Sequence, residues 1–246
     1  MKKADNQDVY TGFTDIHNHI LFGVDDGSPD IETSLKMLGQ AYEAGTRDIV
    51  LTPHFHPKRG MAHYSKIVEN YEILAELAEK DFPDMGIYLG REIYYRAEIM
   101  DDLDKLQEKT MCGSDTVLIE FSPGVMPDKI RGAVLDVIMA GFHPIVAHVE
   151  RYVCTVKDWD YIYELKQLGA DIQINAASVT GDNGWSVQRC VKAMLKDRLI
   201  DYVASDAHDT STRTPQLLKS YKYIVKKYGV EYADRIMKAD VVEKFG

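Results

Sequence analysis

Two short segments near opposite ends of the chain carry potential metal ligands two residues apart. His17 and His19 form the first pair, and Asp206 and His208 form the second. Residues i and i+2 of a β-strand point to the same face, so each pair can direct two donor groups at one cation. Imidazole nitrogens and carboxylate oxygens both bind divalent metals. The two pairs therefore predict a metal site that joins the beginning and the end of the chain.

Further candidate ligands follow short apolar stretches between the two pairs. In a parallel βα barrel all strands end on one face, where active sites are built, so side chains at these positions would meet there. Two details stay open: Asp25 competes with Asp26 for one ligand role, and His56 could point into the site without binding. The predicted metal ligands are His17, His19, Asp26, His54, Glu92, Glu120, His148, Asp206 and His208.

The hydrophobic pattern alternates short strands with helices, which is typical of a parallel sheet. About seven such units in this length favour a closed or nearly closed barrel over an open, doubly wound sheet. Ser28 is predicted to cap the first helix with Pro29 at its first position, and Asp128 to cap a later one. The predicted strands cover 13–16, 48–51, 87–89, 117–119, 145–147, 172–174 and 202–204. The predicted helices cover 28–44, 64–80, 98–109, 128–140, 159–168, 186–196, 214–227 and 231–238.

Length and composition indicate one globular domain spanning 1–246. A net charge of −10 without a basic cluster argues against nucleic-acid binding. Three widely spaced cysteines fit a reducing compartment rather than a disulfide framework. No stretch is long and apolar enough for membrane insertion, and the polar N-terminus has no signal-peptide core. We therefore expect a cytoplasmic protein.

Other catalytic motifs are absent from the sequence. There is no Gly-x-Gly-x-x-Gly after the first strand and no Gly-Lys-Ser/Thr loop, which disfavours dinucleotide binding and P-loop chemistry. A cysteine-dependent tyrosine phosphatase needs an arginine six residues after its cysteine. The residues at that spacing are Leu118, Asp160 and Lys196, so none of the cysteines qualifies.

Two arginines are candidates for binding an anion beside the metals. Arg151 lies three residues after His148, and Arg213 lies five residues after His208, both in loops on the predicted active face. A guanidinium group matches the geometry of phosphate oxygens. Asp15 alternates away from His17 along the first strand, so we expect it to support the ligands rather than to bind metal.

At these motifs the chain resembles the polymerase-and-histidinol-phosphatase (PHP) superfamily, and within it the bacterial manganese-dependent tyrosine phosphatases of the CpsB/CapC type. The resemblance is carried by six segments spread over residues 15–208: DIHNHILFGVDDGS, LTPH, IEF, AHVERY, INA and ASDAH. It implies a distorted seven-stranded (β/α) barrel of PHP type with C-terminal helices.

The resemblance also implies three divalent metal ions, with Mn²⁺ expected and Fe²⁺ or Zn²⁺ as alternatives. One would be held by His17, His19, Glu92 and Asp206, and a second by Glu92, Glu120 and His148. The third would be held by Asp26, His54 and His208. Arg151 and Arg213 match the family's phosphate-binding arginines, and Asp206 and His208 could position a water or a proton.

The implied reaction is hydrolysis of protein phosphotyrosine by a metal-activated hydroxide, without a covalent phosphoenzyme. The implied partner is the tyrosine-rich tail of a bacterial autokinase that controls capsule or exopolysaccharide synthesis. Alternatives are a PHP-type phosphatase acting on a small phosphomonoester such as histidinol phosphate, a non-catalytic phosphotyrosine-binding module, and a metal-dependent amidohydrolase. The tyrosines of the last helices could form a homo-oligomer interface or simply belong to an outer helix of the barrel: Tyr221, Tyr223, Tyr228 and Tyr232.

Overall fold

The computed structural model describes residues 10–56, 62–99, 108 and 110–245. Parallel strands alternate with helices along this part of the chain, as the sequence predicts. The strands are β1 (Phe13–Asp15), β2 (Thr46–Leu51), β3 (His54–Phe55), β4 (Gly86–Leu89), β5 (Glu92–Tyr94), β6 (Thr116–Glu120), β7 (His143–Val146), β8 (Asp171–Asn175) and β9 (Tyr202–Ala204). The helices are α1 (Ile31–Glu43), α2 (Tyr64–Asp81), α3 (Pro127–Met139), α4 (Val153–Lys157), α5 (Tyr161–Leu168), α6 (Ala176–Thr180), α7 (Trp185–Lys196), α8 (Leu218–Tyr228), α9 (Val230–Met237) and α10 (Val241–Phe245).

The strands form a curled parallel arrangement in two sheets. One sheet has the order β1-β2-β4, and the other has the order β3-β5-β6-β7-β8-β9. Beyond β1 and β9, His19 N donates to Ala207 O at 2.8 Å and Asp206 N donates to His17 O at 2.8 Å. The prediction of an α/β fold with a parallel sheet is confirmed. A seven-stranded barrel is not confirmed, because the strands divide between two sheets.

Two breaks that the sequence analysis missed separate these sheets. Thr52 and Pro53 end β2 before β3 begins, and Pro53 has no N–H to donate to a neighbouring strand. Gly90 and Arg91 separate β4 from β5 in the same way. Both short segments after the breaks begin with a predicted ligand, and the parallel pairing of β3 with β5 places His54 directly opposite Glu92.

The middle strands are apolar along nearly their whole length because helices cover the sheet. Val117, Leu118 and Ile119 of β6 are each at most 2% exposed, as expected for a parallel strand buried on both faces. Helix α3 packs against β7 and α5. This rigid layer supports the strand ends from which the ligands project.

Several predicted helix boundaries were wrong. Helix α1 is capped by Asp30, whose Oδ1 accepts a hydrogen bond from Thr33 N at 2.8 Å. Ser28, the predicted cap, instead donates to Asp30 O at 2.9 Å and organises the preceding loop. Helix α3 begins at Pro127 rather than after Asp128. Helix α8 begins at Leu218, four residues later than predicted. Most of the predicted helix at 98–109 lies outside the described residues.

The sequence predicts that the tyrosines of the C-terminal helices belong either to a homo-oligomer interface or to an outer helix of the barrel. The Tyr221 ring is fully buried and packs on Phe13 with ring centroids 4.8 Å apart. Tyr232 is only 5% exposed. These two side chains therefore belong to the core, as expected for helices that cover the sheet. Within the described ranges, no helix combines the length and the apolarity required to cross a membrane.

Candidate metal centre

The carboxylate of Glu92 is surrounded by four imidazoles from three segments of the chain. Its Oε1 lies 3.2 Å from His17 Nε2 and 2.9 Å from His148 Nε2. Its Oε2 lies 3.3 Å from His19 Nε2 and 2.8 Å from His54 Nδ1. Glu92 is 1% exposed. A single buried carboxylate thus faces four of the predicted ligands, which suits a group that bridges metal ions.

Asp25 and Asp26 have different surroundings, although they are adjacent in sequence. Asp25 Oδ2 lies 2.7 Å from His19 Nδ1 and accepts a hydrogen bond from His54 N at 3.0 Å. Asp26 Oδ1 instead lies 3.3 Å from His54 Nε2 and 3.7 Å from His208 Nε2, with a side chain that is 59% exposed. Asp26 thus faces the imidazole nitrogens of the centre from its solvent side, whereas Asp25 supports a ligand from behind.

Asp206 uses its two oxygens for two different sets of neighbours. Oδ1 lies between 3.6 and 3.8 Å from ring nitrogens of His17, His19 and His208. Oδ2 accepts a hydrogen bond from Arg151 Nη1 at 2.9 Å and forms an ion pair with Arg213 Nη2 at 2.8 Å. Asp206 therefore links the cluster of imidazoles to both candidate anion-binding arginines.

The remaining predicted ligand, Glu120, joins the cluster from the end of β6. Its Oε1 lies 3.4 Å from His54 Nδ1, and its Oε2 lies 3.8 Å from His148 Nε2. All nine predicted ligands are therefore brought together at the carboxyl ends of the strands. His56 lies beside them, with its ring stacked on Tyr94 at 4.4 Å between centroids.

Three groups of donor atoms in the described residues lie close enough together to hold an ion. In each group the donor atoms are all within 4.8 Å of one another. Each pair of groups shares one residue, and the shared residues are His19, His54 and Glu92. They are His17, His19 and Glu92; His54, Glu92 and Glu120; and His19, Asp26, His54 and His208.

The donor set fits divalent cations. Among the described residues, the buried atoms Nε2 of His17, Nε2 of His19 and Oε2 of Glu92 have no partner in hydrogen-bonding geometry, although charged groups stand close by. Buried polar atoms normally have a partner, so these neighbouring donor atoms fit a bound cation. Mixed imidazole and carboxylate donors suit Mn²⁺, Fe²⁺ or Zn²⁺.

The electrostatics of the cluster also favour positive charge. Burial opposes the charged forms of His17 and His19, but the carboxylates of Glu92 and Asp25 outweigh it and raise the pKa of both imidazoles. Burial likewise opposes ionisation of Glu92, but the neighbouring imidazoles, first that of His17, hold its pKa well below 4.5. His208 is the exception, since burial and the charge of His19 lower its pKa to about 3. The carboxylates that stabilise imidazolium groups would stabilise a divalent cation in the same way.

Two ligand positions have a backbone conformation that is unusual for residues other than glycine. His148 has φ of 30° and Asp206 has φ of 52°. His148 N donates to Gln173 Oε1 at 2.7 Å, which helps to hold this conformation. Strained residues concentrate at functional sites, where the surrounding structure determines them.

Sequence reasoning missed three polar residues that support the site. Gln173 Oε1 also lies 3.1 Å from His17 Nδ1, and Asn175 Nδ2 donates to Asp206 Oδ2 at 2.7 Å. The fully buried Glu150 accepts hydrogen bonds from Asn175 N at 2.9 Å and from Ser178 Oγ at 2.6 Å. A usable signal was present, because Gln173 interrupts an otherwise apolar strand. Asp15 meets its prediction as a supporting residue, accepting from Ser205 N at 2.9 Å and Ser205 Oγ at 2.6 Å.

A cavity of about 410 Å³ opens over the cluster. His56, Tyr94, Phe121 and Pro123 contribute to its walls, and both arginines reach it. The cysteines lie elsewhere, and burial raises the pKa of the Cys112 and Cys190 thiols to about 12, so neither is a ready nucleophile. A parallel α/β fold with a cluster of candidate metal ligands at its strand ends is typical of metal-dependent hydrolases.

Comparison with known proteins identifies the family within that class. The profile of the family described as "Capsular polysaccharide synthesis, CpsB/CapC" matches residues 13–243. The tyrosine-protein phosphatase CpsB of Streptococcus agalactiae is 33% identical over 229 residues, which cover 90% of this chain and 93% of that protein. The chain belongs to the CpsB/CapC family, as its motifs predicted.

Solved structures agree with this assignment. A structure from the work on YwqE of Bacillus subtilis and CpsB of Streptococcus pneumoniae, described as unique metal-dependent tyrosine phosphatases, superposes with a TM-score of 0.83. It is 29% identical, and the match covers 89% of both chains. The histidinol phosphate phosphatase of Lactococcus lactis gives a TM-score of 0.61 at 13% identity, covering 89% of this chain and 94% of that one, which shows a shared fold alone.

Proposed function

We propose that this protein is a metal-dependent phosphatase that hydrolyses phosphotyrosine in proteins. The observation that carries the proposal is the position of Asp206, which faces the cluster of predicted metal ligands with Oδ1 and both arginines with Oδ2. The chemistry of the site suits a phosphate dianion, and the relatives named as tyrosine-protein phosphatases supply the substrate class. The same family connection supports a role in capsule or exopolysaccharide synthesis.

We assign the nine predicted residues as ligands of three divalent ions, with Mn²⁺ as the expected metal. The overlapping donor groups support more than one ion, because Glu92 faces four imidazoles at once. Bound divalent cations neutralise phosphate charge and lower the pKa of an attacking water. Asp25, Gln173 and Asn175 hold the ligands in place through the hydrogen bonds described above.

Arg151 and Arg213 are proposed to bind the non-bridging oxygens of the phosphate. Each uses one terminal nitrogen on Asp206 Oδ2, and a guanidinium group has five N–H donors in all. Each arginine can therefore stay anchored to Asp206 while it donates to the substrate and stabilises charge in the transition state. Asp206 and His208 are proposed to help to position the attacking water or a proton.

The leaving group makes a strong general acid unnecessary. A tyrosine phenol has an ordinary pKa of ~10, so its phenolate leaves far more easily than a serine alkoxide. Tyr94 and Phe121 line the cavity beside the ligands, and aromatic walls of this kind suit an aromatic ring. These features favour tyrosyl over seryl phosphate.

The proposed function also implies a partner protein and a cellular compartment, and we add a proposal on the closure of the barrel. The partner would be the phosphorylated tail of a bacterial tyrosine autokinase, and the enzyme would act in the cytoplasm. We also propose that β2 with β3 and β4 with β5 each count as one interrupted strand of a distorted seven-stranded barrel. The hydrogen bond from His19 N to Ala207 O supports closure between the first and last strands.

Phosphate release from a phosphotyrosine peptide tests the proposal. Metal-stripped protein is titrated with Mn²⁺, beside a phosphoserine peptide and histidinol phosphate as alternative substrates. We expect metal-restored turnover that is selective for phosphotyrosine and is lost in His148→Ala. His143→Ala is the matched control, because that histidine pairs with Asp171 away from the cluster. Cleavage of histidinol phosphate without cleavage of the peptide would overturn the assignment in favour of a small-molecule phosphatase.

A further inference from the structure

A second cavity opens directly beside the metal centre. It encloses about 590 Å³ and is larger than the cavity over the ligands. Arg151, Asp206 and Arg213 line both cavities, so the two meet at the proposed phosphate-binding arginines. Cavities of ~300–1,000 Å³ bury most of a drug-sized ligand. A substrate with its phosphate on the arginines therefore has room to extend into this second cavity, which we call the side groove.

The rest of the side groove is lined by polar and apolar residues of α6, α7 and the segment that leads into α8. Its polar residues include Thr180, Asn183 and Gln216. Such groups can donate to and accept from a peptide backbone as well as side chains. The groove thus offers a peptide both hydrogen-bonding groups and apolar contacts.

The charged residues that line the groove differ in whether they have a partner in the structure. The arginines are paired with Asp206, and Asp182 accepts a hydrogen bond from Thr180 Oγ1 at 2.7 Å. Lys219, on the first turn of α8, is exposed and makes no ion pair or hydrogen bond within the described part of the chain. Lys219 is therefore able to pair with a carboxylate of a bound peptide. With Arg151 and Arg213 it gives the groove three cationic side chains against the carboxylates of Asp182 and Asp206.

We propose that the side groove binds the peptide segment next to the phosphotyrosine, and that Lys219 pairs with an aspartate or glutamate of that segment. This inference rests on the proposed tyrosine phosphatase function and adds a preference for an acidic sequence around the target tyrosine. The enzyme would then recognise its substrate through peptide contacts as well as through the phosphate.

The test compares two phosphotyrosine peptide sets, one with glutamate and one with lysine at positions on each side of the phosphotyrosine. The measured quantity is the ratio of kcat/KM for glutamate peptides to kcat/KM for lysine peptides, with Mn²⁺ present. We expect wild-type protein to prefer the glutamate peptides and Lys219→Glu to lower the ratio about 10-fold, because one attraction becomes a repulsion. Lys219→Gln should give an intermediate ratio.

Lys226→Glu is the matched control. Lys226 is exposed on the same helix, two turns further along, and does not line the groove. Lys226→Glu changes the net charge by the same amount as Lys219→Glu. An equal fall of the kcat/KM ratio in both variants would therefore indicate a long-range effect and overturn the side-groove assignment. An unchanged ratio in Lys219→Glu, with the peptides still hydrolysed, would also overturn it and leave the proposed function standing. Failure of wild-type protein to hydrolyse any peptide would overturn both.

Discussion

The carboxylate of Asp25 lies 2.7 Å from the Nδ1 atom of His19, on the side of the ring that faces away from the cluster. The same oxygen accepts a hydrogen bond from the backbone of His54. A carboxylate behind a ligating histidine fixes the ring orientation and makes the other nitrogen a better donor to a metal. One residue that does not reach the centre therefore controls two of the residues that do.

This arrangement predicts the effect of replacing Asp25. Asp25→Asn removes the charge and one of the acceptors, so we expect metal affinity to fall by about 10–100-fold, as for other residues that support ligands. Turnover at saturating Mn²⁺ should recover part of the loss. Asp128→Asn, on the outer helix α3, is the control. Metal titration monitored by activity and by calorimetry measures the effect, and an unchanged affinity would show that Asp25 does not support a ligand.

The buried cluster also predicts that metal stabilises the fold. A ligand that binds only the native state raises the free energy of unfolding by about 2.7 kcal/mol at one hundred times its dissociation constant. Thermal unfolding of metal-stripped protein should therefore shift to higher temperature with increasing Mn²⁺. His148→Ala should reduce the shift, and His143→Ala should retain it. A melting temperature that does not respond to Mn²⁺ would count against the ligand assignment.

Tyr152 connects two strand ends of the site through its buried hydroxyl. Phe121 N donates to this oxygen at 3.1 Å, and the hydroxyl donates to Ala147 O at 2.9 Å. Tyr152→Phe would leave a buried N–H and a buried carbonyl without partners, so we expect a loss of about 1–3 kcal/mol in the free energy of unfolding. Tyr163→Phe is the control, because its exposed hydroxyl bonds Asp197 at the surface. Urea unfolding of both variants measures the difference, and equal losses would contradict the argument.

An ion pair far from the metal centre predicts a pH dependence of stability. His143 Nε2 lies 3.0 Å from Asp171 Oδ2, and this hydrogen bond raises the pKa of His143. A raised histidine pKa contributes stability that is fully present below the unfolded value of ~6.5 and is lost as pH rises through the folded value. Burial opposes ionisation of Asp171, but His143 and Lys166 outweigh this effect and lower its pKa. The ionised carboxylate therefore contributes stability at pH values above its unfolded pKa of ~3.8.

The pair should therefore stabilise the fold most between about pH 4 and pH 6.5. His143→Gln should be less stable than wild-type protein at pH 5.5, and the difference should shrink at pH 9. Chemical unfolding of metal-loaded protein at both pH values measures it. A difference that is the same at both values would show that the charge of His143 makes no contribution.

Much of the metal centre was already determined by the sequence. Ligand residue types at the ends of apolar strands are a local pattern, and a parallel sheet with helices on it sends all such ends to one face. His17, Glu92, His148 and the other candidate ligands could therefore be predicted to lie together without coordinates. The choice between Asp25 and Asp26 was not, because both lie in one loop and only the contacts of each side chain separate them.

The tertiary structure decided the features that depend on contacts between distant segments. Asp206 Oδ2 meets Arg151 and Arg213 because the segment after β7 and the segment after β9 converge there, and neither segment alone specifies that geometry. Gln173 supports His17 across 156 residues of sequence. The breaks between β2 and β3 and between β4 and β5 were also not predictable from the sequence. Pro53 indicates an interruption, but it does not indicate whether strand pairing resumes after it. The sequence determined which residues lie at the strand ends, because hydrophobic periodicity is a local property. Packing between distant segments determined which of their atoms come into contact.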